Sequence, residues 1–145
     1  MGSGCARREL EGLSERLGLT TSVRFLGEIT NEDELLGFFE NAVAYISPGS
    51  VGLGVLHAFA FGVPVATCRG CRHGPEYEWI RDGVNGLCME PSVSEIATAL
   101  RRLWSDSAYA AALGKQAYTT YMNEASPQKM VDGFRLAIES GRSVS

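Results

Sequence analysis

Short β-type runs alternate with helical segments along this chain, and that alternation constrains the fold more than any other feature. The runs occupy residues 23–26, 42–46, 63–67 and 87–89, and they are largely unbroken apolar stretches. Unbroken runs are typical of strands buried on both faces, whereas half-exposed strands alternate polar and apolar residues. Strands that alternate with helices predict an α/β fold with a mostly parallel sheet.

The helical segments carry recognisable start signals. Thr30 or Asn31 can cap a helix whose first turn is acidic, and Ser92 with Glu95 forms a capping box. Ser126 before a proline predicts the start of a terminal helix with Met130, Phe134, Ala137 and Ile138 on one face, ahead of a frayed tail. Further helices are predicted over residues 5–17, where Leu10, Leu13 and Leu17 share a face, and over residues 53–61 and 107–123.

Composition excludes several classes of protein. The 145 residues suit one domain, with an α/β core at about 5–105 and a helical segment at about 106–140. The net charge is −4 and the basic residues are scattered, which argues against nucleic-acid binding. No apolar run is long enough to cross a bilayer, and the first residues do not form a secretory signal. We therefore expect a cytoplasmic protein.

Two of the four cysteines form a CRGC pair, Cys68 and Cys71, with His73 close behind. A zinc knuckle or a redox pair is one interpretation. A structural zinc site usually needs four ligands, often as two spaced pairs, and no second pair is present. Free thiols in a reducing compartment are the favoured interpretation.

A glycine cluster separates the second strand from the helix that follows it. The stretch comprises Gly49, Ser50, Val51, Gly52, Leu53 and Gly54. In open α/β sheets ligands bind beyond the carboxyl ends of the strands, and backbone N–H groups at a helix start favour an anion. A phosphate or diphosphate is the natural ligand, although the spacing matches neither the dinucleotide fingerprint nor the Walker loop. The alternative is a glycine-rich turn that only packs tightly.

Three further polar residues follow strands on the same side of the predicted sheet. His57 lies one turn into the apolar helix, where a buried structural histidine is the alternative to a functional one. Glu76 and Glu78 follow the third strand. They could perform acid–base chemistry, bond sugar hydroxyls, or only cap a short turn.

The ordered set "VRFLGEI", "EDELLGFFENA", "AYISPGS", "AFGVPVAT", "PEYEWIRDGVNGL" and "SVSEIATALRRLW" resembles the C-terminal, donor-binding domain of family 4 glycosyltransferases of the GT-B fold. The resemblance extends to about residue 105. It implies a Rossmann-like, three-layer αβα domain. It also implies a retaining transfer from a nucleotide diphosphate sugar to a glycan or lipid-linked acceptor, with no metal or other cofactor.

By this resemblance, the stretch from Gly49 to Gly54 holds the diphosphate, the turn ending at Ile29 lies against the base, and Glu76 lies near the donor pocket. The family commonly has two glutamates eight positions apart, and the matching positions here are Gly49 and His57. The second is usually a ribose ligand, and a neutral imidazole can still bond a ribose hydroxyl.

The resemblance covers only the second half of such a donor domain, with residues 1–4 as the end of a strand. It implies that the N-terminal domain, which usually supplies the catalytic base, is missing. We expect the isolated chain to be inactive. The resemblance assigns no catalytic residue to it. The missing strands would leave two apolar edges open, which predicts self-association. In the full-length context the protein could be peripheral to the membrane. A non-catalytic remnant and a sugar-nucleotide epimerase remain as alternatives.

Overall fold

The computed structural model describes residues 4–142, with side chains through residue 140. The predicted strand end at residues 1–4 and the predicted frayed tail at residues 141–145 therefore lie mostly outside the described residues. Of their described residues, Gly4 is in no strand, and residues 141–142 belong to the last helix and not to a frayed tail. The chain divides into two units, Met1–Phe38 and Phe39–Ser145. One helix crosses the boundary between them.

The first unit contains helix α1, Arg7–Arg16, and the start of helix α2, Glu32–Glu40. Asn31 is the residue that caps α2, since its Oδ1 accepts from the Glu34 N–H at 3.0 Å. The predicted apolar face of α1 stays partly open, because Leu10, Leu13 and Leu17 are 40–61% exposed.

The predicted strand at residues 23–26 is wrong. These residues are irregular and Val23 is exposed. A strand needs a neighbouring strand to receive its backbone hydrogen bonds, and no described residue pairs with this run. One backbone group of this run is bonded by a side chain instead, since Arg7 Nη2 donates to the Phe25 carbonyl at 3.1 Å.

The second unit holds the sheet. Its strands are β1, Tyr45–Ser47, β2, Val65–Cys68, and β3, Gly86–Met89, and they pair in the order β1-β2-β3 with both pairs parallel. Helices α3, Gly54–Ala60, α4, Val93–Ser105, and α5, Ser107–Thr120, are followed by a π-helical turn, Tyr121–Ala125, and α6, Pro127–Arg142. A 3₁₀ helix, Pro75–Trp79, lies between β2 and β3. The predicted α/β class with a parallel sheet is confirmed.

Burial explains why two of the strands read as unbroken apolar runs. All residues of β2 and β3 are buried, as strands covered on both faces must be. Leu87 and Met89 of β3 cluster with Leu103 of α4 and Leu113 of α5. Helix α3 packs against β2 and α5 and buries Val55, Ala58 and Phe59, as its nearly all-apolar sequence predicts.

Helix ends follow the predicted signals in α4 and α6. Ser92 Oγ accepts from the Glu95 N–H at 3.2 Å, and α6 begins at Pro127. The predicted apolar face of α6 is exposed, with Met130, Phe134 and Ile138 each 59–66% accessible. Within residues 4–142, no helix combines the length and the apolar character needed to cross a membrane.

The turn before β3 is held by one buried amide. Asn85 is fully buried, and its Oδ1 accepts from the Arg81 N–H at 2.7 Å. Its Nδ2 donates to the Trp79 carbonyl at 2.8 Å and to Thr120 Oγ1 at 3.0 Å. Asn85 therefore bonds the end of the 3₁₀ helix and the following turn through two hydrogen bonds and α5 through a third, at a position that solvent does not reach.

An ion pair lies beside this amide. Arg81 Nη2 donates to Glu124 Oε2 at 2.6 Å, and this hydrogen bond holds the pKa of Glu124 below its usual range. Both side chains are more than a third exposed, so solvent screens the pair and it contributes little to stability. The buried amide is the stronger of the two connections.

We predict that Asn85→Ala lowers the free energy of unfolding by about 2–3 kcal/mol, because it leaves buried donors and acceptors without partners. Urea unfolding followed by circular dichroism measures the change. Thr119→Ala is the matched control, since Thr119 is the exposed neighbour of Thr120 and its hydroxyl donates to the Lys115 carbonyl of its own helix. Equal stabilities for the two variants would contradict this role for Asn85.

Candidate functional site

Parallel pairing brings the ends of β1 and β2 to the same edge of the sheet. Ser47, the last residue of β1, pairs with Thr67 of β2. Thr67 is fully buried, and its Oγ1 donates to the Ser47 carbonyl at 2.8 Å. The glycine-rich turn, residues 48–54, therefore leaves the sheet from a fixed point, next to the loop that follows β2.

The turn offers a set of backbone N–H groups without acceptors. Among the residues that the structure describes, only the Val51 N–H within residues 49–54 has an acceptor. Leu53 is the N-cap residue of α3, and no side chain caps this helix end. The N–H groups of residues 49, 50, 52, 53 and 54 are therefore available to an anionic ligand at the carboxyl edge of the sheet.

Tight packing accounts for only one glycine of the cluster. A Cβ on Gly54 would collide with the hydroxyl end of Tyr45, so this glycine lets the tyrosine lie against the start of α3. A Cβ on Gly49 or Gly52 would meet nothing within 4 Å. The alternative of a turn that merely packs tightly thus fits Gly54 and does not explain the other two.

The flanking residues of the predicted site differ in exposure. Ser50 and Leu53 are exposed, and the Leu53 side chain is 63% accessible, whereas Val51 is buried. Ser50 Oγ donates within the turn, to the Val51 carbonyl at 3.4 Å. The turn therefore exposes its backbone and the side chains of Ser50 and Leu53, and its one buried side chain is that of Val51.

His57 is exposed, so it is not the buried structural histidine that was the alternative. Its ring meets Phe39 edge-on, with ring centroids 6.4 Å apart. Its backbone N–H donates to the Leu53 carbonyl, which places it one turn after the start of α3. Neither ring nitrogen has a hydrogen-bond partner in the described part of the chain, so both can meet a ligand.

Glu76 lies beside the turn. It is half-buried in the first turn of the 3₁₀ helix, and its Oε2 sits where a Cβ of Gly74 would be. A Cβ on Gly74 would also lie 3.5 Å from the Val51 carbonyl oxygen. The absence of a side chain at Gly74 therefore allows the Glu76 carboxylate to lie close to the turn. Glu78 is exposed on the same short helix. Ile29 belongs to the first unit and is half-buried, and its role as a base contact stays a prediction.

The cysteines form no recognisable ligand cluster. All four are free thiols, and residues 4–142 contain no group of three or more histidine, cysteine or acidic residues placed to hold a metal. Burial, with smaller contributions from Cys71 and Glu90, raises the pKa of the Cys68 thiol. A protonated, buried thiol is a poor nucleophile and a poor ligand.

Sequence reasoning missed the role of His73, which it considered only as a metal ligand. The Val51 N–H donates to His73 Nδ1 at 3.3 Å, and His73 Nε2 lies 2.8 Å from the Cys68 carbonyl oxygen. The only sequence signal is its place in the loop after β2, next to the predicted site. Which atoms it would bond could not be read from that position.

Comparison with known proteins agrees with this architecture. The family model for group 1 glycosyl transferases matches residues 1–120. The chain is 27% identical over 135 residues to a lipopolysaccharide core biosynthesis glycosyltransferase, LpsE, of Rhizobium meliloti. That match covers 92% of this chain and 39% of LpsE, so the chain spans about two fifths of this curated relative.

Solved structures share the fold. Sucrose-phosphate synthase from Thermosynechococcus elongatus superposes with a TM-score of 0.81 at 24% identity, over 98% of this chain and 36% of that one. Anabaena Alr3699/HepE, solved in complex with UDP, gives a TM-score of 0.76 at 22% identity, over 92% and 36% of the two chains. The sequence-based family assignment and the Rossmann-like GT-B fold are confirmed. This chain belongs to the group 1 glycosyltransferases, and it corresponds to their C-terminal type of domain.

Proposed function

We propose that this chain binds the nucleotide diphosphate part of a sugar donor at the turn formed by residues 48–54. The observation that carries the proposal is the set of five backbone N–H groups without acceptors, among the described residues, at the carboxyl edge of β1. A diphosphate has several acceptor oxygens and would satisfy these donors. Membership of the glycosyltransferase family and the UDP complex of HepE support this choice of ligand.

The same donors would assist the chemical step. When the bond between the sugar and the diphosphate breaks, negative charge grows on the leaving phosphate oxygen. Fixed N–H groups and the positive end of the α3 dipole stabilise that charge without having to reorganise. The turn would therefore bind the donor in the ground state and stabilise its leaving group in the transition state.

His57 and Glu76 would select the remainder of the donor. The exposed imidazole of His57 can donate or accept a hydrogen bond with a ribose hydroxyl. The Glu76 carboxylate accepts hydrogen bonds only, and it has no donor among the described residues, so it would take a sugar or ribose hydroxyl. Gly49 supplies no side chain, so the sugar contacts made by a glutamate in many relatives would be absent.

We propose the complete transfer reaction for a protein as long as LpsE and not for this chain alone. We infer a retaining transfer to a glycan or lipid-linked acceptor, catalysed in the cytoplasm by an enzyme peripheral to the membrane. The LpsE relative, which acts in lipopolysaccharide core biosynthesis, supports such an acceptor. Because the chain spans only about two fifths of LpsE, we propose that it binds the donor and catalyses no transfer by itself.

We predict that Gly52→Asp weakens binding of UDP at least about tenfold, because its carboxylate would face the diphosphate at close range. Isothermal titration calorimetry measures the affinity, and GDP and ADP are titrated into the wild type in parallel because the base is open. Gly52→Asn is the matched neutral control and should stay within about threefold of the wild type. Both side chains have space, since a Cβ on Gly52 meets nothing within 4 Å.

Two results would count against the binding site. One is a wild-type chain that binds none of the three nucleotides at millimolar concentration. The other is equal affinity of the Asp and Asn variants, which would place the ligand elsewhere. Melting temperatures of both variants should match the wild type, which excludes unfolding as the cause of weaker binding.

We also propose that the chain self-associates through the free edge of β1. This strand ends the sheet formed by the described residues, and Ile46 on it is 42% exposed. Exposed apolar edge strands pair readily with another chain. Pairing of this edge with a second copy of the chain would therefore lower the free energy of the assembly.

We predict a concentration-dependent dimer or larger species in size-exclusion chromatography with light scattering. Ile46→Lys should shift the population to monomer, because a charge on an edge strand opposes pairing. Val93→Lys, at an 86% exposed position of α4, adds the same charge away from the edge and should leave association unchanged. A wild-type monomer at every concentration would refute self-association.

A further inference from the structure

His73 connects the loop after β2 to the glycine-rich turn through two backbone contacts. A backbone N–H can only donate, so the Val51 N–H at 3.3 Å requires an unprotonated His73 Nδ1. A carbonyl can only accept, so the Cys68 oxygen at 2.8 Å requires a proton on Nε2. Both contacts are satisfied together by the neutral imidazole with its proton on Nε2.

The ring has a fixed orientation. His73 is half-buried and stacks on Tyr77, with ring centroids 4.2 Å apart and planes inclined by 5°. Tyr77 belongs to the 3₁₀ helix that also carries Glu76. The imidazole therefore cannot turn freely, and its Nδ1 lone pair stays aimed at the turn.

The bond to Val51 orients the donors on either side of it. Fixing one N–H fixes its peptide plane, and this restricts the dihedral angles that set the directions of the N–H groups at Ser50 and Gly52. The Val51 side chain is buried, which restrains the same residue further. Upstream, Cys71 Sγ donates to the Pro48 carbonyl at 3.4 Å, so the loop after β2 holds the turn at a second point.

We propose that His73 is a positioning residue for ligand binding at the glycine-rich turn. It touches no ligand, and it acts by holding Val51 so that the neighbouring N–H groups converge on one anion. Preorganised donors bind more tightly than donors that must be ordered on binding. The inference rests on the proposed nucleotide binding, and it assigns to the CRGCRH segment a role other than metal binding.

Three substitutions separate the two contacts. His73→Asn keeps an acceptor at the position of Nδ1, His73→Gln keeps a donor near the position of Nε2, and His73→Phe keeps only the stacking on Tyr77. We expect the Asn variant to bind UDP within about threefold of wild type, and the Gln and Phe variants to bind about tenfold more weakly. If all three bind UDP as the wild type does, or if Asn is as weak as Phe, the proposal is wrong.

A measurement without nucleotide keeps this proposal distinct from the proposed function. Hydrogen exchange of the Val51 amide, followed by NMR, should be slow in the wild type and in the Asn variant and faster in the Gln and Phe variants. Equal exchange in all four proteins would overturn the bond from Val51 even if UDP binds. If UDP, GDP and ADP all fail to bind while the exchange pattern is as expected, the proposed function is refuted and the structural bridge stays in place.

The wild type alone provides a last check, which does not depend on how the variants fold. Long-range proton–nitrogen correlation spectra should show the His73 ring with its proton on Nε2 and an unprotonated Nδ1. A proton on Nδ1 would overturn the proposal, because that nitrogen could then accept nothing from Val51.

Discussion

Parallel pairing of β2 with a strand on each side is the constraint on which the second unit depends. Because both pairs are parallel, the loops that follow β1 and β2 leave the sheet at the same edge. Thr67 then fixes the end of β1 by donating to the Ser47 carbonyl. The glycine-rich turn and the loop with His73 are neighbours for this reason, although most of α3 and all of β2 lie between them in the chain.

Polar groups around the buried strands and polar groups in the exposed turn differ in their hydrogen bonding. Strands β2 and β3 are buried, so the polar groups in and beside them are paired, as Thr67 and Asn85 illustrate. The turn after β1 is the exception, because its N–H groups have no acceptor among the described residues except at Val51. A cluster of N–H groups without protein acceptors, at an exposed end of the sheet, is where an anionic ligand can accept several hydrogen bonds at once.

The sequence predicted the elements of this unit well, because burial leaves a direct record in residue type. The runs at 63–67 and 87–89 are apolar since both faces of β2 and β3 are covered. Prediction was wrong at residues 23–26, where the residue types suit a strand and pairing decides the outcome. Propensity reports what a residue tolerates, whereas a strand exists only where a neighbour receives its hydrogen bonds.

The candidate site could be predicted only in part from the sequence. The glycines marked the turn and the edge of the sheet, and strand order placed Glu76 beside them. The role of His73 could not be predicted, because it depends on a tautomer and on two backbone atoms from different loops. The exposure of His57 could not be predicted either, because its apolar neighbours in the sequence suggested burial. The structure shows that His57 lies on the exposed side of α3, whereas Val55, Ala58 and Phe59 are buried.

The most direct test of this account is a proton–nitrogen correlation NMR titration of the wild-type chain with UDP, repeated with GDP and ADP. If the turn binds the diphosphate, the amides of residues 49, 50 and 52–54 should show the largest shifts with at least one of the three nucleotides. The Val51 amide should move less, because its hydrogen bond to His73 is already formed. Shifts confined to other parts of the chain, or no shifts with any of the three nucleotides at saturating concentration, would contradict the account.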